Sequence, residues 1–258
     1  MMFKWFVRIL NKIPGAKFAV SVLFKQKAGI PAYEILDLKF RNKVGMNSGL
    51  DETGDFAKLF SGTGVSFSVI GPLVSSNVGK AISTIIRLRN NKNHGIVAVS
   101  IDCSSKIDND DIVQNEYVRT FSLAYDFADL FFIDFSRKDI DPSTIRSITS
   151  AILETRFTYE EYKPIVISTG KSLDESELKA LVDFCRMNGA DGIDICSSHY
   201  VKVIHEYTDG RYTILGHGGI DNPDAALESG RRGQVLREPA GKEDCTTRIC
   251  QQESEQAV

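Results

Sequence analysis

Residue types able to do chemistry gather in a few short runs. One reads Gly216-His217-Gly218-Gly219-Ile220, entered from β-forming Tyr212, Thr213, Ile214 and Leu215 and left through a helix start with Asp221 or Asn222 as cap and Pro223 in the first turn. Glycines there put no Cβ between the backbone N–H groups and a bound anion, so strand, glycine loop and helix form a phosphate seat. A tight strand-to-helix turn needing positive φ explains the same glycines, and both readings stand on the glycines alone. A second run, Asp134-Phe135-Ser136-Arg137-Lys138-Asp139, with Ser168 further on, supplies an acid, hydroxyls and two cations for a polar oxidoreductase site. Cys103 and Cys196 fall just past strand signals, but only Lys106 is near either, so inert thiols are expected. His94, His199, His205 and His217 show no ligand spacing, and no metal site is expected. Asp108-Asn109-Asp110-Asp111 lacks the glycine and terminal glutamate of a calcium loop and reads as a helix cap.

These runs need a scaffold that brings strand ends together. After Pro31 short β-rich stretches alternate with helical ones, the pattern of βα units around a parallel sheet. Strands are expected at 44–48, 66–71, 96–101, 130–135, 165–169, 192–196 and 213–216, and the firmest helices at 111–127, 143–156 and 174–188. Seven strands and their helices predict a TIM (β/α)8 barrel whose eighth strand should follow Gly230. The single candidate there is Val235 to Arg237. The glycine loop follows the seventh strand, where barrels of this kind seat phosphate, and that position favours the anion reading.

Composition agrees with one large α/β domain: 258 residues, 42% apolar, 25% charged. A net charge of -3 gives no reason to expect nucleic acid. Five scattered cysteines without a C-x-x-C pair argue against a disulfide scaffold and for a reducing compartment. Residues 1–33 carry six basic residues and no acidic one, and Lys4, Arg8 and Lys12 form a stripe opposite Phe3, Trp5, Phe6, Ile9, Leu10 and Ile13. Neither half of this arm, broken at Pro14-Gly15, reaches the roughly 20 apolar residues of a span. It reads as two short amphipathic helices on an anionic membrane surface, the alternative being helices packed on the barrel. The expected organisation is an arm at 1–33, a barrel at 34–230, and an anomalous, poorly ordered or frameshifted tail at 231–258.

The ordered runs Asn11-Lys12-Ile13-Pro14-Gly15, Leu38 through Asp51 with Asn47-Ser48-Gly49 inside it, Pro164-Ile165-Val166-Ile167, Gly189-Ala190-Asp191-Gly192-Ile193 and Gly216 through Ile220 resemble the class 2, quinone-dependent dihydroorotate dehydrogenases. The resemblance covers about residues 11–230. It implies an FMN-binding TIM barrel that oxidises dihydroorotate to orotate in pyrimidine biosynthesis and passes electrons to a quinone, peripherally attached to the cytoplasmic side of a membrane through its arm. It implies flavin contacts at Asn47, Ser48, Gly49, Ser168, Gly218 and Gly219.

Residue by residue the resemblance thins at the chemistry. The family's catalytic base, a serine, falls on Arg137, with Ser136 beside it, and a guanidinium cannot take a proton. The substrate-holding asparagine falls on Asp134 and the flavin-contacting lysine on Ser168, with Lys171 three positions later. Glu52 replaces the lysine after Asp51, Ser100 stands for an asparagine, and Cys196-Ser197 for a Thr-Asn pair. The family's Asn-x-Met-Gly-Phe-x-Asn substrate loop has no counterpart between Leu88 and Ile96. Two functional readings follow: a flavoprotein of this kind with impaired dihydroorotate oxidation, or a non-catalytic barrel that binds a partner or a small phosphate ligand.

The tail also has two readings, a divergent segment or a changed reading frame. Codons for Gln234 through Gly241, read one base later, can give Arg-Phe-Tyr-Glu-Ser-Leu-Leu-Glu, which resembles the family's last strand and turn. Sequencing the encoding DNA is expected to reveal that run in the shifted frame; its absence leaves the divergent tail.

Overall fold

The structure, a computed structural model, describes residues 13, 15, 33–40, 45–46, 48, 51–60, 66–90, 95–104, 109–136, 140–169, 173–217, 235–237 and 246–250. Nearly all of the 1–33 arm, the glycine loop at Gly218-Gly219, and most of the 231–258 tail lie outside the described residues. No helix among the described residues is long and apolar enough to cross a membrane.

A hairpin opens the described chain, β1 (Tyr33–Ile35) and β2 (Leu38–Phe40), turned by Leu36 and Asp37, both at positive φ. Strand and helix then alternate: β3 (Gly45–Met46), α1 (Asp55–Phe60), β4 (Phe67–Leu73), α2 (Val78–Arg89), β5 (Ile96–Ile101), α3 (Asp110–Ala124), β6 (Leu130–Asp134), α4 (Pro142–Arg156), β7 (Ile165–Thr169), α5 (Glu175–Asn188), β8 (Gly192–Ile195), α6 (Ser198–Tyr207) and β9 (Thr213–His217). Strands β3 to β9 pair in sequence order and in parallel. This is the α/β barrel scaffold expected from the strand spacing. The expected eighth parallel strand is not found among the described residues. Val235–Arg237 does form a strand, β10, but it pairs antiparallel with β11 (Thr246–Cys250), which in turn runs antiparallel to β9. The run after Gly230 offers no apolar βα repeat, so nothing in it favours a parallel stave.

Helix starts follow local chemistry. The Asn109 side chain accepts from the N–H groups of Asp111 and Ile112, so the acidic run is the expected cap. Asp141 accepts from Ser143 N–H with Pro142 in the first turn. Asp174 and Glu177 form a reciprocal capping box, and α5 ends on Gly189 at φ 85°, a left-handed conformation that favours glycine.

Strand periodicity of two divides the core. One set of alternate residues faces the helices; there Ile70, Val99, Ile133, Ile167 and Ile193 pack with Tyr117, Phe121, Ile148 and Val182. The other set points inward, where Phe67, Val69, Ile96, Ala98, Leu130, Phe132, Val166 and Leu215 join Ile35 and Phe40 of the hairpin. The hairpin therefore seals the amino-terminal end of the strands, with the Phe40 ring edge-on to Phe67 at 5.6 Å. Phe40 is 1% exposed, so Phe40→Ala removes a filled plug. The expected cost is about 3–5 kcal/mol of unfolding free energy, read as a lower urea midpoint with an unchanged slope.

Candidate active site

Moving up the inner wall toward the carboxyl ends of the strands, the side chains change from apolar to polar. Ser100 follows Ala98 on β5, Asp134 follows Phe132 on β6, Ser168 follows Val166 on β7, and Asp194 lies at the inward position of β8. All four are buried. The ladder sets three of them level, Asp134 being the register partner of Ser168 and Ser168 of Asp194, while Ser100 pairs with Phe132 one inward step below. Each hydroxyl donates to the carboxylate of the next strand. Ser100 Oγ meets Asp134 Oδ2 at 3.1 Å, and Ser168 Oγ meets Asp194 Oδ2 at 2.9 Å. No lysine or arginine lies on any strand from β3 to β9. The described floor of the mouth thus carries two carboxylates, each accepting a hydroxyl from the preceding strand.

Neighbouring groups hold this layer in place. Ser136 donates its N–H (2.9 Å) and its hydroxyl (2.5 Å) to Asp134 Oδ1, closing the chain back over the acid. Behind the strands the buried Tyr117 hydroxyl donates to the Asp134 carbonyl at 2.8 Å and lies 3.2 Å from Asp102 Oδ1. Burial, with Asp102 next in weight, drives that phenol well above its ordinary value, so it stays a donor. Glu116 of α3 ties two loops at this face, one of its oxygens accepting from the Ser75 and Ser104 hydroxyls at 2.9 and 2.6 Å. Gly71 runs so close to β5 that a Cβ on it would lie 2.5 Å from the Ser100 carbonyl oxygen, and its φ of 147° already disfavours any side chain.

The residues expected from sequence are distributed unevenly. Ser136 and Ser168 belong to the layer, and buried Ser48 sits in the loop after β3 at the same carboxyl end. Arg137, Asn47, Gly49, Gly218 and Gly219 lie outside the described residues, as do Lys138 and Lys171. Ser197, which the resemblance puts in place of an asparagine beyond the sixth strand, is the N-cap of α6, its oxygen facing Tyr200 N–H at 3.5 Å. Cys103 is buried and Cys196 half-buried. No group of three or more His, Cys, Asp or Glu able to hold a metal occurs among the described residues. Sequence reading missed Asp194. Its signal was present, an acid between Ile193 and Ile195 at the inward parity of a buried strand.

For FMN, which the resemblance implies, the donor set decides the fit. Ser168 already commits its proton to Asp194, and the strands bring no cation. The carboxylate oxygens of the described layer fit a ring that donates N–H groups.

Asp51, in the stretch that resembles the flavin loop, is 1% exposed. Its Oδ2 accepts from Ala57 N–H at 2.7 Å and its carbonyl from Gly71 N–H at 3.0 Å, which pins the loop after β3 to α1 and β4. Oδ1 has no partner. Burial pushes this carboxyl up to about 6, against the pull of the Ala57 and Phe56 N–H groups.

No protein-family model matches the chain. It is similar to the quinone-dependent dihydroorotate dehydrogenase of Christiangramia forsetii, 20% identical over 291 residues that cover 90% of this chain and 85% of that protein. The enzyme of the same name from Wigglesworthia glossinidia brevipalpis is 22% identical, with 89% and 86% covered. Among solved structures, dihydroorotate dehydrogenase of Eimeria tenella in complex with ferulenol superposes with a TM-score of 0.73 at 14% identity, covering 86% of this chain and 85% of that one. The ligand-free form gives 0.73 at 13% identity. The resemblance seen in separate motifs therefore extends over most of the chain, and the fold is that of these barrels.

Asp51 makes stability depend on pH. Its folded value of about 6 exceeds the value of roughly 4 in the unfolded chain, so its contribution is full below pH 4 and is lost as pH rises through 6. About 3 kcal/mol of unfolding free energy is expected to disappear between pH 4 and 7 on this account. Asp51→Asn should flatten that segment of the profile, measured by urea titration at each pH.

Proposed function

We propose that this chain is a dihydroorotate-dehydrogenase-like, FMN-dependent oxidoreductase whose mouth has been rebuilt, so that two-electron oxidation of dihydroorotate in pyrimidine synthesis is slow or absent. Similarity across nine-tenths of the chain to quinone-dependent enzymes supports the redox class and a quinone as electron acceptor. The observation that carries the rebuilt site is the level Asp134–Ser168–Asp194 layer, which puts two acids and a serine at strand-end positions where the resemblance implies an asparagine and a lysine at Asp134 and Ser168. FMN, when bound, supplies the acceptor for a hydride. This chain's residues supply the floor beneath it, with Ser100 and Ser136 fixing Asp134 and Ser168 fixing Asp194. Arg137 stands at the base position and cannot take the C–H proton.

The arm at 1–33 serves in this reading as a peripheral attachment to the cytoplasmic side of a membrane, where quinone is reached. A non-catalytic barrel holding a small phosphate ligand or a partner is the second reading, favoured by the lost base and by the missing substrate loop between Leu88 and Ile96.

Purified full-length protein offered FMN is expected to retain the visible flavin spectrum after desalting. It should oxidise dihydroorotate, with a soluble quinone as acceptor, some 10² to 10⁴ times more slowly than an enzyme that keeps its base. Colourless protein supports the non-catalytic barrel, and rapid quinone reduction overturns the rebuilt mouth.

A further inference from the structure

We infer that Phe157, Tyr162 and Met187, at the amino-terminal foot of the barrel, form a docking surface for the chain's own amino-terminal arm, which covers its apolar side chains there when no membrane takes them. The inference rests on the reading of residues 1–33 as an amphipathic arm and gives that arm a second seat.

Met187 and Phe157, 86% and 74% exposed, are the two most exposed large apolar side chains among the described residues, and Tyr162 is 54% exposed. Phe157 caps the end of α4, Tyr162 precedes β7 and Met187 stands in the last turn of α5. The three surround one buried group. The guanidinium of Arg156 lies 5.5 Å from the centre of the Phe157 ring and 4.7 Å from that of Tyr162. It donates to the Gly189 carbonyl at 2.8 Å, two residues beyond Met187, and to Asp191 at 2.6 Å. The Tyr162 hydroxyl donates to the other oxygen of Asp191. A matched, buried ion pair therefore backs the outward side chains, so the surface is already formed before anything meets it. Aromatic residues, methionine and arginine are the composition of interface centres, and three large apolar side chains grouped in water mark a contact surface.

The occupant follows from where the chain enters the fold. Burial and Asp191 push the Tyr162 phenol up to about 12, and Asp37 in the hairpin turn adds to that push, which places the turn beside Tyr162. Tyr33, the first residue of β1, is four residues from Asp37, so the arm joins the fold within roughly 14 Å of this turn. From residue 13 to residue 33 the chain reaches up to roughly 70 Å, ample for Phe3, Trp5, Phe6, Ile9, Leu10 and Ile13 to arrive at the foot. Ile13, the described member of that set, is 50% exposed, so apolar side chains stand uncovered on both parts. Tethering gives the arm up to about millimolar effective concentration, enough to populate a contact too weak to form between separate molecules. Exposed Glu154 and Glu160 flank Phe157 in the chain and suit a segment whose polar stripe is Lys4, Arg8 and Lys12. An anionic bilayer competes for the same apolar side chains. The arm then occupies one seat at a time.

Trp5 is the only tryptophan of the chain, so its fluorescence reports the arm alone. Emission and acrylamide quenching of Trp5 are recorded without lipid for the full chain, for Phe157→Ser and for Met187→Gln, with circular dichroism to verify folding. Both substituted side chains are exposed, so the variants keep the fold. In the unaltered chain Trp5 is expected to emit to the blue of the urea-unfolded chain and to resist the quencher, unchanged on dilution. Each substitution should shift emission to the red and raise quenching toward that of the unfolded chain. Trp5 as quenchable in the unaltered chain as in urea overturns the inference. Protection that persists in both variants overturns it as well, because the arm then sits elsewhere, and protection lost on dilution assigns the contact to a second copy and overturns the tethered form. Anionic vesicles added to Phe157→Ser should restore the blue-shifted emission; their failure speaks against membrane attachment and leaves the docked arm standing.

Discussion

A carboxylate can be kept on the inner wall of a strand barrel only where a donor reaches it, and here each of two receives a hydroxyl from the strand before it. That requirement fixes more than two side chains. It ties β5 to β6 across one inward step and β7 level with β8 at the end where the ladder is about to stop, with Ser100 and Ser168 at the last inward positions of their strands. A contrast lies at the opposite end. There Asp191 accepts from the Arg156 guanidinium at 2.6 Å, from Ile165 N–H and from the Tyr162 hydroxyl, and Arg156 also reaches the Gly189 carbonyl. Lys163, nearly as buried, bonds the carbonyls of Tyr125 and Ala128. Acids and cations are matched at the amino-terminal side, where barrels keep their stability. At the carboxyl-terminal side, where barrels keep their chemistry, the described strands carry no lysine or arginine.

Much of the scaffold was legible in the sequence because buried parallel strands read as short apolar runs and their helices as runs at three- and four-residue spacing. Ile96–Ile101 and Ile165–Thr169 appear at the expected residues, and the caps at Asn109 and Asp174 do what their side chains suggest. The hairpin at 33–40 was not legible. Its turn uses Leu36 and Asp37 at positive φ with no glycine to announce it, and its strands are three residues long. The eighth strand failed for a different reason. Val235–Arg237 has β-forming character, but parallel or antiparallel pairing is settled by what lies on either side, not by three residues.

The candidate site was half legible. Asp134, Ser136 and Ser168 were identified as polar residues at strand ends, and the structure joins the first two directly. It places Ser168 one ladder step from Asp134 but bonds it to Asp194, which had attracted no notice. Tyr117 is a second omission. In the sequence it is one aromatic residue within a helical stretch, and only its hydroxyl, donating to the Asp134 carbonyl, reveals a supporting part. Isolated polar atoms inside otherwise apolar runs carry such information, and the parity of the strand tells which wall they join.

The hairpin has one further consequence. Ile35 and Phe40 pack into the inner apolar cluster and fill the amino-terminal end of the described strands. Anything that enters from the carboxyl ends of the strands cannot pass out through that filled end.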